Sequence, residues 1–250
     1  MYPFYPTPSQ RSPNKRSALF SLLRSCDMYI AHQHLMNPTD ALAYAVSVGV
    51  GELVTSGLNG LNATRVPFVV VERDSQLIIQ AHLSRVNPQV NDFGEALLIV
   101  TGADAHIPGH YLPPEKPESM VPSAPTWDYV TVHLRGPMVT FDDPDWKRTH
   151  WEALVEQHEK VWTLADTKEE RLERVFNAVV GVEITITEQL GKAKLHQNLA
   201  SDDISALADK LESDGDTKIA CLMRDISVPW AQAREARVEK ARRGHTAPEF

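Results

Sequence analysis

The chain has 250 residues and a formal net charge of −8, with 42% hydrophobic and 23% charged residues. This is the composition of an ordinary globular chain, long enough for one large or two small domains, and its sign opposes a general nucleic-acid surface, which must replace phosphate counterions with Lys and Arg. No run reaches the roughly 18 apolar residues of a membrane span, and Cys26 and Cys221 lie in no metal or C-x-x-C spacing, so they read as unpaired thiols of a cytoplasmic protein.

Residues 1–27 carry Pro3, Pro6, Pro8 and Pro13 among Ser, Gln and Asn. Proline removes amide donors and fixes φ, so this stretch reads as disordered apart from one short helix at Ser17 to Cys26. Asn37, Pro38 and Asp40 open a helix that Gly49 can end. The period then changes. Glu52 to Ser56, Asn62 to Val71 and Gln76 to His82 form an antiparallel meander with turns at Gly57–Gly60 and Asp74–Ser75. Ala96 to Thr101 is apolar throughout, as expected of a strand buried on both faces. Residues 104–125 read as a loop, and Tyr129 to Phe141 as a long strand with a bulge at Gly136-Pro137.

Asp142-Asp143-Pro144 opens a helix to about Lys160, on which His150 and His158 read as solvent-facing. A second helix covers Lys168 to Asn177. Val179 to Thr187 is a strand, and three helices follow at 201–212, 216–225 and 229–243. The only dense basic patch is Arg234 to Arg243. Strands close in sequence with helices inserted and appended predict an α+β fold built on an antiparallel barrel. No G-x-G-x-x-G turn, P-loop, G-x-S-x-G or H-E-x-x-H motif occurs.

Four groups carry possible chemistry. His82, Ser84, Arg85 and Asn87 end a strand at an Asn-Pro turn, where an Arg fork, a hydroxyl and a helix start near Pro88 suit a phosphate; a solvated strand end is the plainer alternative. Thr64 and Arg65 lie on an apolar strand, where an inward Arg needs an anion and an outward one does not. Trp127 and Tyr129 share a strand face and suit either a planar ligand or a core. Lys194 and Gln197 sit in a polar cluster with Lys192, His196 and Asn198. His106 and His110 flank Pro-Gly without a third ligand, so no metal site is expected.

Taken together, these segments resemble the PaiB family of FMN-binding negative transcriptional regulators. The matching pieces are MYIAHQHLMNP (Met28 to Pro38), LVTSGLNGLNATRVPF, AHLSRVNPQ, PTWDYVTVHLRG with FDDPDW behind it, and VGVEITI followed by GKAKLHQN. The resemblance implies an antiparallel split β-barrel (FMN-binding split-barrel type) with inserted and C-terminal helices. It implies an N-terminal extension over 1–27, the FMN-binding domain over 28–224 and a helical tail over 225–250. It also implies an FMN site at a homodimer interface. His82, Ser84 and Arg85 would then serve the phosphate end, with Asn87 at the turn and Thr64 and Arg65 beside the cofactor. Trp127 and Tyr129 would neighbour the isoalloxazine, with Lys194 and Gln197 closing the site. Two features depart from the family pattern: Arg65 stands where members usually carry His, and Gly102 to Tyr111 is one residue shorter.

Three functions stay open on this reading. One is an FMN-bound homodimeric repressor acting on DNA or through a regulatory protein partner. Another is an FMN-dependent oxidoreductase of a small molecule. The third is a flavin- or haem-binding storage or sensor protein.

Overall fold

The computed structural model describes residues 28–58, 60–114 and 124–244. The proline-rich stretch and the helix expected at Ser17–Cys26 lie outside them. Seven strands form one antiparallel sheet: β1 (Val50–Gly57), β2 (Gly60–Arg73), β3 (Gln76–Ser84), β4 (Gly94–Ile107), β5 (Thr126–Phe141), β6 (Val179–Thr185) and β7 (Glu188–Lys194). Their order is β4-β1-β2-β3-β6-β5-β7, and an added β4–β5 pairing closes the first six into a barrel. Six α-helices accompany them: α1 (Pro38–Val48), α2 (Pro144–His158), α3 (Glu169–Ala178), α4 (Ser201–Ser213), α5 (Thr217–Leu222) and α6 (Val228–Gly244).

The barrel is split along one edge of β5. Residues Tyr129 to Arg135 pair with β7, and Met138 to Phe141 pair with β6. The change of partner falls at Gly136, where a Cβ would stand 1.7 Å from the Thr185 carbonyl oxygen. Only glycine admits that approach. The bulge expected here lies instead on β4, where the register against β5 shifts between Thr101 and Asp104. β4 runs on to Ile107, so the first part of the expected 104–125 loop is strand. The strand β7 was not foreseen, because Lys192 and Lys194 on its outer side mask the alternation with Gly191 and Ala193.

Two cores result. Inside the barrel, Leu53, Phe68, Leu98, Val132, Leu134 and Val182 are fully buried and α1 closes one end with Ala41 and Ala45. Each large side chain there contributes about 1.5–3 kcal/mol of burial. The α1 start is as the sequence predicts: Asn37 caps it through Thr39 N at 2.8 Å, with Pro38 in its first turn. Beyond the bulge, Ala105, Ile107, Val130, Ala193 and Leu195 join α4, α5 and α6 in a second core. Helices α5 and α6 are continuous through a π turn at Met223–Ser227 just ahead of Pro229, which has no amide hydrogen to donate.

The outside of the barrel is covered unevenly. Helix α2 lies over β2 and β6. Its cap is Asp143, which accepts from Trp146 N at 2.7 Å. Among the described residues no helix is packed over the outer side of the β1–β4–β5 centre, where Val54, Leu97, Ile99 and His133 are half-buried. β4 is therefore not buried on both faces as its apolar run suggests; Ala96, Leu98 and Val100 point in, and Leu97 and Ile99 point out.

Candidate functional site

The residues singled out in the sequence fall into three groups. The first surrounds the end of β3. Ser84 is exposed and opposite Val179 of β6. The Arg85 fork donates to both Asp142 oxygens at 2.9 and 2.6 Å, and its Nε donates to Asn177 O at 2.7 Å. Lys147, buried, adds a bond to Asp142 at 2.6 Å. The hydrogen bonds from Arg85, then Lys147, hold the Asp142 carboxyl well below the usual carboxylate range. A phosphate reaching Arg85 would have to displace this carboxylate. Asn87 Nδ2 donates to Thr64 Oγ1 at 2.9 Å, and its Oδ1 caps a short 3-10 turn at Pro88–Asn91 in place of the α-helix start expected there. Arg65 points outward and pairs with Glu52 across β1–β2 at 2.7 Å.

The second group lies at the other end of β5. Trp127 is 55% exposed, and Tyr129 stands opposite Lys194. Lys194 Nζ donates to Thr126 Oγ1 at 2.7 Å and to Trp127 O, and sits 3.4 Å from Asp128. Gln197 braces a turn. It accepts from Leu195 N at 2.9 Å, donates to Ala193 O at 2.6 Å, and its Oε1 meets His34 Nδ1 at 2.9 Å. Lys192, a member of the polar cluster read from the sequence, shares this outer surface with Thr131 and Thr101, which no motif marked. Lys192 Nζ lies 5.4 Å from the Tyr129 ring and 6.0 Å from the Tyr29 ring and donates to Tyr29 O at 3.1 Å. Among the described residues it meets no carboxylate. His196 pairs with wholly buried Asp128 at 2.5 Å from a backbone at φ 58°, a contact that no sequence motif marked. Only the positive φ forced by a strand-ending turn could have signalled it.

The third group removes His82 from the other two. His82 tucks under α2, stacked on Trp151 with ring centroids 5.2 Å apart, and its Nδ1 meets His150 Nε2 at 3.1 Å. His150 is buried, not solvent-facing as its charged neighbours suggested, because Trp146 stacks on its other side at 5.1 Å. Burial, with a smaller push from His82, lowers the His150 pKa to about 3, and burial lowers His82 too. Beneath them Glu183 accepts from Arg73, Gln80 and Trp146 at 2.7–3.0 Å. Burial opposes its ionisation, but these bonds prevail and its pKa lies below the ordinary value.

These features define a split-barrel protein with an open, donor-rich outer surface. Lys192, Lys194, Thr101 and Thr131 offer cationic and hydroxyl donors beside the Tyr129 ring, a donor set that fits an anionic aromatic cofactor. The chain belongs to the family described as “Putative FMN-binding domain”, whose model matches residues 28–188. FMN is thus its cofactor. No curated protein matches the chain. Among solved structures, it resembles a conserved hypothetical protein from Mycobacterium tuberculosis, at 13% identity and a TM-score of 0.50, over 69% of this chain and 94% of that one. That likeness shows a shared fold. A FAD and heme binding protein from Mycobacterium smegmatis is similar at 15% identity and a TM-score of 0.47, over 69% of this chain and 80% of that one. A flavocytochrome from Azotobacter vinelandii is similar at 12% identity and a TM-score of 0.47, over 65% and 70%. Among the described residues no helix is long and apolar enough to cross a membrane, and no three His, Cys, Asp or Glu side chains could hold a metal.

Proposed function

We propose that the protein works as an FMN-loaded homodimer and, like the PaiB-type regulators its sequence resembles, represses transcription. The observation that carries the dimer is the separation of the two ligand-suited groups. Tyr129 and Phe141 lie at opposite ends of β5, about 40 Å apart along a strand rising 3.3 Å per residue, and Arg85 binds Asp142 just past the far end. That contour is longer than one FMN. A twofold partner lying across the open surface would bring the Arg85 end of one copy toward the Tyr129 end of the other. The half-buried Leu97, Ile99 and Leu190 on that surface suit such a cover.

In this arrangement Tyr129 and Trp127 flank the ring system. Lys192 and Lys194 balance its charge, with Gln197 holding their turn in place. Ser84 and Arg85 receive the phosphate end, Arg85 exchanging Asp142 for it, with Asn87 at the turn and Thr64 and Arg65 beside the cofactor. His82 supports the strand from beneath α2. FMN, when bound, supplies a reversible redox centre. Burial lowers the His133 pKa, so a neutral imidazole faces the partner.

The test is a paired measurement of mass in solution and released flavin. The expected result is a particle of twice 27.9 kDa that is yellow and releases one FMN per chain. Ile99→Lys should give a monomer that sheds its flavin, and Arg85→Ala a dimer that does the same. A monomer that retains FMN sinks the shared site. A DNA mobility shift at physiological salt tests the regulatory output, and its absence with every upstream fragment tried would leave repression to a protein partner.

A further inference from the structure

We infer that the hollow between the β4 bulge and helix α5 is a binding pocket for a small organic anion with an aromatic or apolar body. It encloses about 640 Å³, within the range of ligand clefts. Its polar walls are Tyr44, Ser47, Arg65, Thr101, Thr217 and Lys218, and Cys221 also lines it. Every one of those six side chains can donate, and no carboxylate lines the space. In a chain of net charge −8, two cations around one cavity without an acid in its wall select for a negative ligand.

The donors are available. Arg65 commits one nitrogen to Glu52 at 2.7 Å, and the rest of its fork is exposed. Tyr44 Oη accepts from Ala103 N at 3.0 Å, which leaves its own hydrogen to give. Burial raises the Tyr44 pKa, so that hydrogen stays in place at neutral pH. Asp104 and Asp216 line a neighbouring hollow on the other side of Lys218. Val48, Ala103 and Leu222 supply apolar wall, and the volume exceeds what a bare inorganic anion fills, so the ligand carries an apolar body.

The pocket is distinct from the proposed cofactor surface in its construction. Thr217, Lys218, Cys221 and Leu222 lie outside residues 28–188, the part that matches the FMN-binding family. It shares Arg65 and Thr101 with the residues assigned above to the FMN surface. The β4 bulge builds the opposite wall, so the extra residue in that strand and the C-terminal helices together make the cavity.

Cys221, exposed and unpaired, is a built-in reporter. In the full-length Cys26→Ser protein it is the sole thiol, and its alkylation by the neutral reagent N-ethylmaleimide can be timed at constant ionic strength. The expected result is saturable slowing by benzoate or phenyl phosphate, by about tenfold, and none by benzyl alcohol. Lys218→Met and Arg65→Met should each raise the half-protecting concentration about tenfold, as loss of one charged contact predicts. Failure of both anions to protect, or equal protection by benzyl alcohol, overturns the proposal. So does protection by FMN at one equivalent per chain, which would make the hollow part of the cofactor site. Flavin absorbance, recorded on the same samples, reports FMN binding separately, so loss of the cofactor reading and loss of the pocket are told apart.

Discussion

The two outer surfaces of the barrel differ in one respect: among the described residues, one has a helix as its cover and the other does not. Under α2, His82, Gly181 and Glu183 meet Trp146, His150 and Trp151; Trp146 Nε1 pairs with Glu183 and His82 with His150, while His150 Nδ1 and Trp151 Nε1 are buried without a partner among the described residues. On the β1–β4–β5 surface, Leu97, Ile99 and His133 present a comparable mixture of apolar side chains and imidazole with no covering helix among the described residues. The inner walls of both are the same continuous core. Burial of the sheet's inside therefore says nothing about which outside is finished. The finished side should respond to mutation as a core, and the open side as an interface.

The sharpest break of that contrast is at Glu183. Glu183→Leu would leave Arg73, Gln80 and Trp146 with unanswered donors, and it should cost about 3 kcal/mol in a urea titration. A loss below about 1 kcal/mol would mean the α2 side is as loosely held as the open one. Gly181→Ala comes next. A Cβ there would stand 2.1 Å from the Trp146 ring, so the indole must leave its seat at a cost of about 2 kcal/mol. Loss of the buried-tryptophan fluorescence should accompany it.

Acid should reach the same side. The folded His150 pKa of about 3 lies below its ordinary 6.5. The unfolded chain thus takes a proton that the folded one refuses between those values. This contribution is complete above pH 6.5 and is lost as pH falls toward 3, by up to about 1.4 kcal/mol per pH unit. The urea midpoint should fall over that window, and His150→Phe should flatten the slope. The smallest effect on folding is expected on the open surface. Leu97→Gln should change the stability of a dilute, monomeric sample by less than about 0.5 kcal/mol, yet weaken self-association in sedimentation. A core-sized loss of stability there would refute the contrast.

Much of this fold was legible in the sequence. Asn37-Pro38 and Asp143-Pro144 announce helix starts because capping is local chemistry. The β1–β3 meander follows from short turns and alternation. What was not legible depended on partners distant in the chain. His150 looked exposed among charged neighbours, but Trp146 and His82 enclose it, and one of these comes from 68 residues away. The outward Leu97 and Ile99 read as buried because a run of apolar residues does not say which molecule supplies the second cover. At the candidate site, residue types pointed to ligand chemistry, but not to the occupation of Arg85 by Asp142 or of Gln197 by its own turn.

The extra residue in β4 has a consequence for how this strand tolerates change in length. Ala96, Leu98 and Val100 face inward before the shift, and Ala105 and Ile107 after it, so the inward set changes from even to odd numbers. Removing one residue from a strand ordinarily turns every later side chain to the wrong side. Here the deletion of Ala103 would do the reverse. It would bring Thr101 and Asp104 into unbroken register against Thr131 and Tyr129 while keeping Ala105 and Ile107 inward. The barrel would lose nothing of its pattern. The amide held by Tyr44 and one wall of the cavity beside it would disappear, so an indel at this point separates the scaffold from whatever the cavity serves.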